Sequence, residues 1–124
     1  MKKLLNKKGF TLMEMLIVVA IIVILVAIAV PTFSSNLDKA KKATDDANMR
    51  AAKAAVIIYD IDNDIPAAGV YYDSVTGDIV TTLPTVGYGQ AGEAAGDVIK
   101  ITSTNGTLAY EWVTPGTAQQ GSQQ

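Results

Sequence analysis

The longest apolar stretch of the chain lies near its N-terminus and constrains the rest of the fold. It runs from Met15 to Val30 without a charged side chain, and no charge follows until Asp38. A helix needs about 20 apolar residues to cross a bilayer, and Phe10 to Val30 provides that length with Glu14 as its single charged residue. We therefore expect one membrane-spanning helix, which leaves the 124-residue chain room for one small domain.

Charge is distributed unequally about this stretch. Four of the ten basic side chains are Lys2, Lys3, Lys7 and Lys8, so only six basic side chains accompany the 12 acidic ones beyond Gly9. Lysines before a span favour a cytoplasmic N-terminus, and we expect the acidic remainder to be exported. An acidic surface repels phosphate, so the sequence does not predict nucleic acid as a direct partner.

Three interpretations of the apolar stretch differ in how they account for Glu14. A cleaved secretory signal would end at a small-residue site such as Ala27-Ile28-Ala29. A permanent anchor would carry Glu14 at a cost of up to ~2.5 to 3.5 kcal/mol at mid-span, without a use for it. In the third interpretation the stretch stays in the mature protein, and Glu14 has a partner.

The residues from Lys7 to Glu14, Lys-Lys-Gly-Phe-Thr-Leu-Met-Glu, resemble the processing motif of type IV prepilins. The resemblance implies that a prepilin peptidase cuts after Gly9, that Phe10 becomes the N-methylated first residue, and that Glu14 pairs with the α-amino group of a neighbouring Phe10. It extends through Pro31, where this family usually has a proline. It also implies polymerisation into a filament, with the apolar helix as its core.

Pro31 leaves two alternatives, because proline lacks the N–H that an interior helical residue donates. The helix continues with a kink, or it ends there and Ser35 with Asp38 caps a second helix. Beyond Pro31, residues at 3–4 spacing predict an apolar stripe that packs on a sheet. The stripe comprises Leu37, Ala40, Thr44, Ala47, Ala51, Ala54, Ile58 and Ile61. Charges on the other side, Asp38, Lys42, Asp46 and Arg50, predict a solvated face.

The C-terminal half contains a β-hairpin signal. Asn105-Gly106 favours a type I′ turn, which pairs Thr104 with Thr107 and fixes the register of the strands on either side. The apolar face of this hairpin is predicted to contain Ile99, Ile101, Leu108, Tyr110 and Trp112. We expect further strands at Val70 to Tyr72 and at Ile79 to Leu83, a loop from Gly87 to Gly96, and a polar tail from Thr114.

The chain contains neither cysteine nor histidine, which excludes disulfides, thiolate metal sites and imidazole catalysis. Pilins of many Gram-negative bacteria carry a C-terminal disulfide, and this chain departs from that pattern. Asp60, Asp62 and Asp64 match the first ligands of an EF-hand loop, but Ile65 stands where that loop needs glycine. The sequence assigns no metal, no cofactor and no catalytic residue.

Together these features predict an α+β pilin fold, a long N-terminal helix on a small antiparallel sheet, and a non-enzymatic pilus subunit. The predicted segments are a leader (1–9), a membrane and filament-core helix (10–33), an amphipathic helix half (34–64), a loop with the sheet (65–113) and a tail (114–124). Expected partners are further copies of the chain, a prepilin peptidase, the membrane and an assembly machine with a cytoplasmic ATPase. The alternative is a pseudopilin of a type II secretion or DNA-uptake machine.

Overall fold

The computed structural model describes residues 9–116, so the lysine-rich leader before Gly9 and most of the predicted tail lie outside the described residues. Helix α1 (Leu12–Asp62) comes first, followed by strands β1 (Val70–Asp73) and β2 (Asp78–Val80). A short 3₁₀ turn (Gly92–Ala94) then precedes strands β3 (Val98–Thr104) and β4 (Thr107–Val113). This is the predicted α+β class. Internal contacts divide the chain into two compact units, with the division between Leu37 and Asp38.

Helix α1 contains 51 residues and passes through Pro31 without interruption. The expected continuous helix is therefore confirmed, and the alternative in which Ser35 and Asp38 begin a second helix is wrong. Next to the proline, the hydroxyl of Thr32 donates a hydrogen bond of 3.3 Å to the carbonyl oxygen of Ile28, which adds a side-chain bond where Pro31 cannot donate.

The four strands form one antiparallel sheet in the order β2-β1-β3-β4. The predicted hairpin register is confirmed: Thr104 pairs with Thr107, Ile101 with Tyr110 and Ile99 with Trp112. Asn105 and Gly106 have φ values of 53° and 80°, the positive values that a type I′ turn requires. Local turn chemistry therefore sets the register of the longest strand pair.

The shorter strands match the sequence less closely. The strand expected at Val70 to Tyr72 lies within β1, whereas the one expected at Ile79 to Leu83 ends at Val80. The loop from Gly87 to Gly96 contains the 3₁₀ turn and several backbone hydrogen bonds, including one of 2.9 Å from the Gly96 N–H to the Gly89 carbonyl. The start of the predicted tail is ordered too, since the Gly116 N–H donates to the Pro84 carbonyl at 2.9 Å.

The core lies between the sheet and a face of α1 other than the predicted one. Its buried members are Ala52, Val56, Val70, Tyr72, Ile99 and Ile101. On the helix, Met49, Ala55 and Tyr59 pack against them, whereas the predicted stripe from Leu37 to Ile61 is exposed throughout. The prediction was wrong because the buried face includes Asp45, which breaks its apolar pattern, while the exposed stripe does not contain a charge.

Candidate assembly site

The predicted cleavage junction lies just outside helix α1. Gly9 and Phe10 are exposed and non-helical, and the helix begins two residues later at Leu12. The Phe10 side chain is 80% exposed. A protease binds its substrate most readily as an extended backbone, so this placement leaves the Gly9–Phe10 bond accessible without unwinding of the helix.

Thr11 and Glu14 cap the N-terminus of α1 reciprocally. The Thr11 N–H donates to Oε2 of Glu14 at 3.1 Å, and the Glu14 N–H donates to Oγ1 of Thr11 at 3.2 Å. This is a capping box, which binds N–H groups that otherwise lack a helical partner. This capping box was not predicted, although Thr11 and Glu14 have the same three-residue spacing as Ser35 and Asp38. Glu14 thus has a role within its own chain, and its other oxygen, Oε1, remains for a second partner.

From the cap to Phe33, the apolar side chains of α1 are all exposed, and none of the spanning window is buried within the chain. By length and composition this part of α1 can cross a membrane. A bare surface of this kind requires lipid or other protein chains around it. Pro31 lies 17 positions after Glu14, about 25 Å along the helix, so the predicted assembly residues are spread along one element rather than gathered in a pocket.

The buried aspartate of α1 fixes the loop that precedes β3. Asp45 is 7% exposed, and its Oδ1 and Oδ2 accept hydrogen bonds from the backbone N–H groups of Gln90 at 2.7 Å and Ala91 at 2.8 Å. Sequence reasoning missed this residue, because an aspartate next to Asp46 on a charged helix resembles a solvated side chain. No local pattern would have revealed the contact, since its partners are backbone groups 45 and 46 positions away.

Tyr88 joins that loop to the sheet. Its hydroxyl donates to the Tyr72 carbonyl at 2.7 Å and accepts from the Ile99 N–H at 2.9 Å. The ring makes edge contacts with Tyr72 and Trp112, with ring centroids 6.0 Å and 5.8 Å apart. Burial raises the pKa of Tyr88 to about 12, although the hydrogen bond from Ile99 lowers the pKa in part.

The three aspartates considered as metal ligands are all exposed. Asp60 and Asp62 lie in the last turn of α1, and Asp64 follows the helix. Among the side chains of residues 9–116, no group of three or more His, Cys, Asp or Glu is placed to hold a metal ion. Asp62 instead lines an open groove together with Asp73, Asp78 and apolar side chains of α1 and β2.

Comparison with known proteins finds similarity over part of the chain. The family described as the prokaryotic N-terminal methylation motif matches residues 4–30. The type IV narrow pilus major component PilA5 of Thermus thermophilus is 53% identical over 51 residues, which cover 41% of this chain and 44% of that protein. The type IV major alpha-pilin of Moraxella bovis is 44% identical over 50 residues, covering 40% of this chain and 31% of that protein.

A third relative belongs to a secretion system. The type II secretion system core protein G of Pseudomonas aeruginosa is 40% identical over 58 residues, which cover 47% of this chain and 41% of that protein. The chain therefore spans less than half the length of each of these relatives. No solved structure gives a significant match. The chain is thus similar, over less than half of its length, to type IV pilins and to a type II secretion system core protein, and it matches the prokaryotic N-terminal methylation motif.

Proposed function

We propose that this chain is a structural subunit of a type IV pilus, made as a membrane-held precursor, cleaved after Gly9 and polymerised through α1. The observation that carries the proposal is the arrangement at its N-terminus. An exposed, non-helical Gly9–Phe10 junction directly precedes an apolar helix that no other part of the described chain covers. An apolar helix that the rest of the chain does not cover is stable when it is surrounded first by lipid and then by the helices of other subunits.

The similarity to type IV pilins supports a definite series of processing steps. A prepilin peptidase removes residues 1–9, and the new α-amino group, that of Phe10, is then methylated. Residues 10–33 then serve as the membrane span and later as the filament core, while residues 34–64 form the amphipathic half of the helix. The sheet and its loops, 65–113, and the tail, 114–124, are exported, with the N-terminus on the cytoplasmic side.

Glu14 supplies the counter-charge for assembly. The α-amino group of Phe10 in an incoming subunit is positive, and an isolated charge in an apolar bundle is strongly unfavourable. Pairing it with Glu14 of a neighbour removes that penalty and fixes the axial position of one subunit on the next. The capping box holds the Glu14 backbone and carboxylate in place at the start of the helix, which presents the carboxylate at a defined position.

Mass spectrometry of the chain purified from membranes and filaments tests the processing step. We expect a mature protein that begins at Phe10 and is one methyl group heavier than its sequence. Gly9→Val adds a branched side chain at the residue before the cut, so this matched variant should accumulate as the uncleaved precursor. A mature chain beginning at Val30 would identify a secretory signal, an uncleaved wild type would identify a plain anchor, and either result would overturn the proposal.

A second function is supported by the similarity to the type II secretion system core protein G. A pseudopilin of a secretion or DNA-uptake machine would be processed and polymerised in the same way, but its filament would stay short. Electron microscopy of the cell surface separates the two functions: long filaments that contain this chain support the pilus, and their absence beside a processed subunit supports the pseudopilin. In both cases the chain works as a non-enzymatic part of an assembly with a cytoplasmic ATPase.

A further inference from the structure

The turn of the β3–β4 hairpin contains an asparagine that is followed by an unprotected backbone nitrogen. Asn105 and Gly106 are both exposed, and no neighbouring atom lies within 4 Å of the position that a Gly106 Cβ would occupy. The Gly106 N–H donates no hydrogen bond to any residue between 9 and 116. This nitrogen therefore lies open to water, without a bond that holds it and without a side chain that shields it.

An asparagine amide and the next backbone nitrogen react with each other without an enzyme, which makes asparagine a thermolabile residue. The Gly106 nitrogen attacks Cγ of Asn105, the new N–Cγ bond closes a succinimide ring, and the Cγ–Nδ2 bond breaks. The proton of the Gly106 N–H leaves with Nδ2, which departs as ammonia. Water then opens the ring at one of its two carbonyl carbons and gives aspartate or isoaspartate. Only water is consumed, and no atom is oxidised or reduced.

The other asparagines of the described chain lack this arrangement. Asn105 is the only asparagine in the sequence that precedes a glycine. Asn36 and Asn48 lie inside α1, where the following backbone N–H belongs to the hydrogen-bond ladder of the helix. Asn63 precedes Asp64, whose side chain crowds the attacking nitrogen. We therefore expect the reaction to be concentrated at Asn105.

The closed turn slows this reaction without preventing it. Asn105 has the positive φ of a type I′ turn, 53°. In that turn the ψ angle of the first central residue is about +30°, which directs the next nitrogen away from the asparagine side chain. Ring closure therefore requires the turn to open. Local opening of this kind costs little at an exposed loop, and a minor conformation is typically populated at about 0.1 to 10%.

We propose that Asn105 is a self-modifying site, which loses its side-chain amide while the rest of the sheet stays folded, at a rate set by opening of the turn. Each event replaces a neutral amide by a carboxylate and adds one negative charge at the exposed end of the hairpin. Aspartate leaves the turn intact, because Asp-Gly favours the same type I′ geometry as Asn-Gly. Isoaspartate adds a methylene group to the backbone, which displaces the pairing of Thr104 with Thr107.

Mass spectrometry of the full chain, incubated in detergent at neutral pH, tests the site. Trypsin cleaves after Lys100, so the peptide that begins at Ile101 contains Asn105 and no other asparagine. We expect the loss of one ammonia per chain, located by fragmentation at Asn105, while the other asparagines of the described chain keep their amides. The rate should be ~10- to 1,000-fold below that of a synthetic peptide of residues 102–109, which has the same local sequence without the rest of the sheet.

Two variants at the same position serve as controls. Asn105→Gly keeps the turn, because Gly-Gly also forms type I′ turns, and it has no amide to lose. Asn105→Asp is the standard for the aspartate product and should have the same midpoint of urea unfolding as wild type. The isoaspartate product is separated from it by chromatography, and we expect this fraction to unfold at a lower urea concentration.

The outcomes are distinct from those that test the proposed function, because they concern only the hairpin. If the folded chain releases no more ammonia than Asn105→Gly, the site is inert and the inference is wrong. A rate equal to that of the synthetic peptide would show that the closed turn does not control the reaction. Preferential loss of the amide at Asn36, Asn48 or Asn63 would also overturn the inference. None of these results bears on cleavage after Gly9 or on filament formation.

Discussion

Glu14 has one role in the structure, at the first turn of α1, and a second, separable role in the proposed function. Its carboxylate and backbone N–H are both bound by Thr11. The same carboxylate is the proposed counter-charge for the α-amino group of a neighbouring Phe10. Capping needs only an acceptor, so glutamine serves at this place in a capping box, whereas pairing needs the negative charge. Substitution can therefore distinguish the two roles.

We predict that Glu14→Gln and Glu14→Ala are both cleaved after Gly9 and retained in the membrane, and that both are lost from sheared filament fractions. The reason is the unpaired α-amino group, since breaking a buried pair costs ~3 to 5 kcal/mol at every added subunit. Thr11→Ala is the matched control, because it removes only the cap, at about 1 kcal/mol, and should still form filaments. Normal filaments from Glu14→Gln, in cells that lack the wild-type chain, would show that Glu14 acts by capping alone.

Tyr88 gives the C-terminal part of the chain a response to high pH. Its pKa of about 12 exceeds the ordinary value of 10.0, chiefly because of burial, so the folded state favours the neutral phenol. This contribution to stability is complete below pH 10 and is lost as the pH rises through the folded-state pKa. Between those values the unfolded chain releases the Tyr88 proton and the folded chain keeps it, so stability must fall as the pH increases.

We expect Tyr88→Phe to be less stable than wild type at neutral pH, because the Tyr72 carbonyl and the Ile99 N–H lose their partner. The difference should shrink as the pH rises from about 10 to about 12. Urea unfolding in detergent at a series of pH values, followed by the fluorescence of the single tryptophan, measures both effects. Tyr110, whose pKa is also raised by burial, stays in both proteins and cancels in the comparison. A difference that stays constant with pH would contradict the assignment.

At the scale of elements, the loop between β2 and β3 depends on α1 for its position. Asp45 binds two backbone N–H groups of this loop, and Gly89 lies so close to the Ala94 carbonyl that a Cβ atom would not fit. The loop in turn places Tyr88 against Trp112. A single buried carboxylate thus connects the helix to the longest loop of the C-terminal part.

We predict that Asp45→Ala lowers the free energy of unfolding by about 3 kcal/mol, because two backbone N–H groups lose a buried, charged acceptor. Asp45→Asn keeps one acceptor oxygen and should lose about half as much. The neighbouring Asp46→Ala is exposed and should stay within about 0.5 kcal/mol of wild type. Urea unfolding, followed by Trp112 fluorescence, gives all three values, and equal losses for Asp45→Ala and Asp46→Ala would refute the role of Asp45.

The elements also show which parts of the fold the sequence could predict. The β3–β4 hairpin was predictable residue by residue, because Asn105-Gly106 permits one turn geometry and the alternation of side chains then follows. The packing face of α1 was not, because Asp45 breaks the apolar pattern of the face that is buried. Which face of α1 packs on the sheet depends on Asp45, whose burial is favourable only when the N–H groups of Gln90 and Ala91 bind its carboxylate. These partners are 45 and 46 positions away in the sequence, so the periodicity of the helix cannot predict them.

For the whole molecule, the predictable part of the candidate site is the part that depends on residues close together in the sequence. Cleavage and capping depend on the six residues from Gly9 to Glu14, and a span depends on length and composition, so a single sequence is enough to propose them. Packing between subunits depends on surfaces that only the folded chain defines. The stripe from Leu37 to Ile61 was expected to be covered by the sheet, and it is exposed in the structure.

Pro31 has a mechanical consequence for a helix loaded along its axis. Its nitrogen carries no hydrogen, so the Ala27 carbonyl lacks the backbone donor that other interior carbonyls of α1 have, and the Thr32 hydroxyl bonds to the next carbonyl, that of Ile28. A helix under tension lengthens first where the fewest hydrogen bonds resist, and in α1 that is the turn at Pro31. In a filament, identical subunits would carry the load in series, and the small extension of each such turn would add up along the fibre. Pro31 of each subunit would then make the filament elastic along its axis.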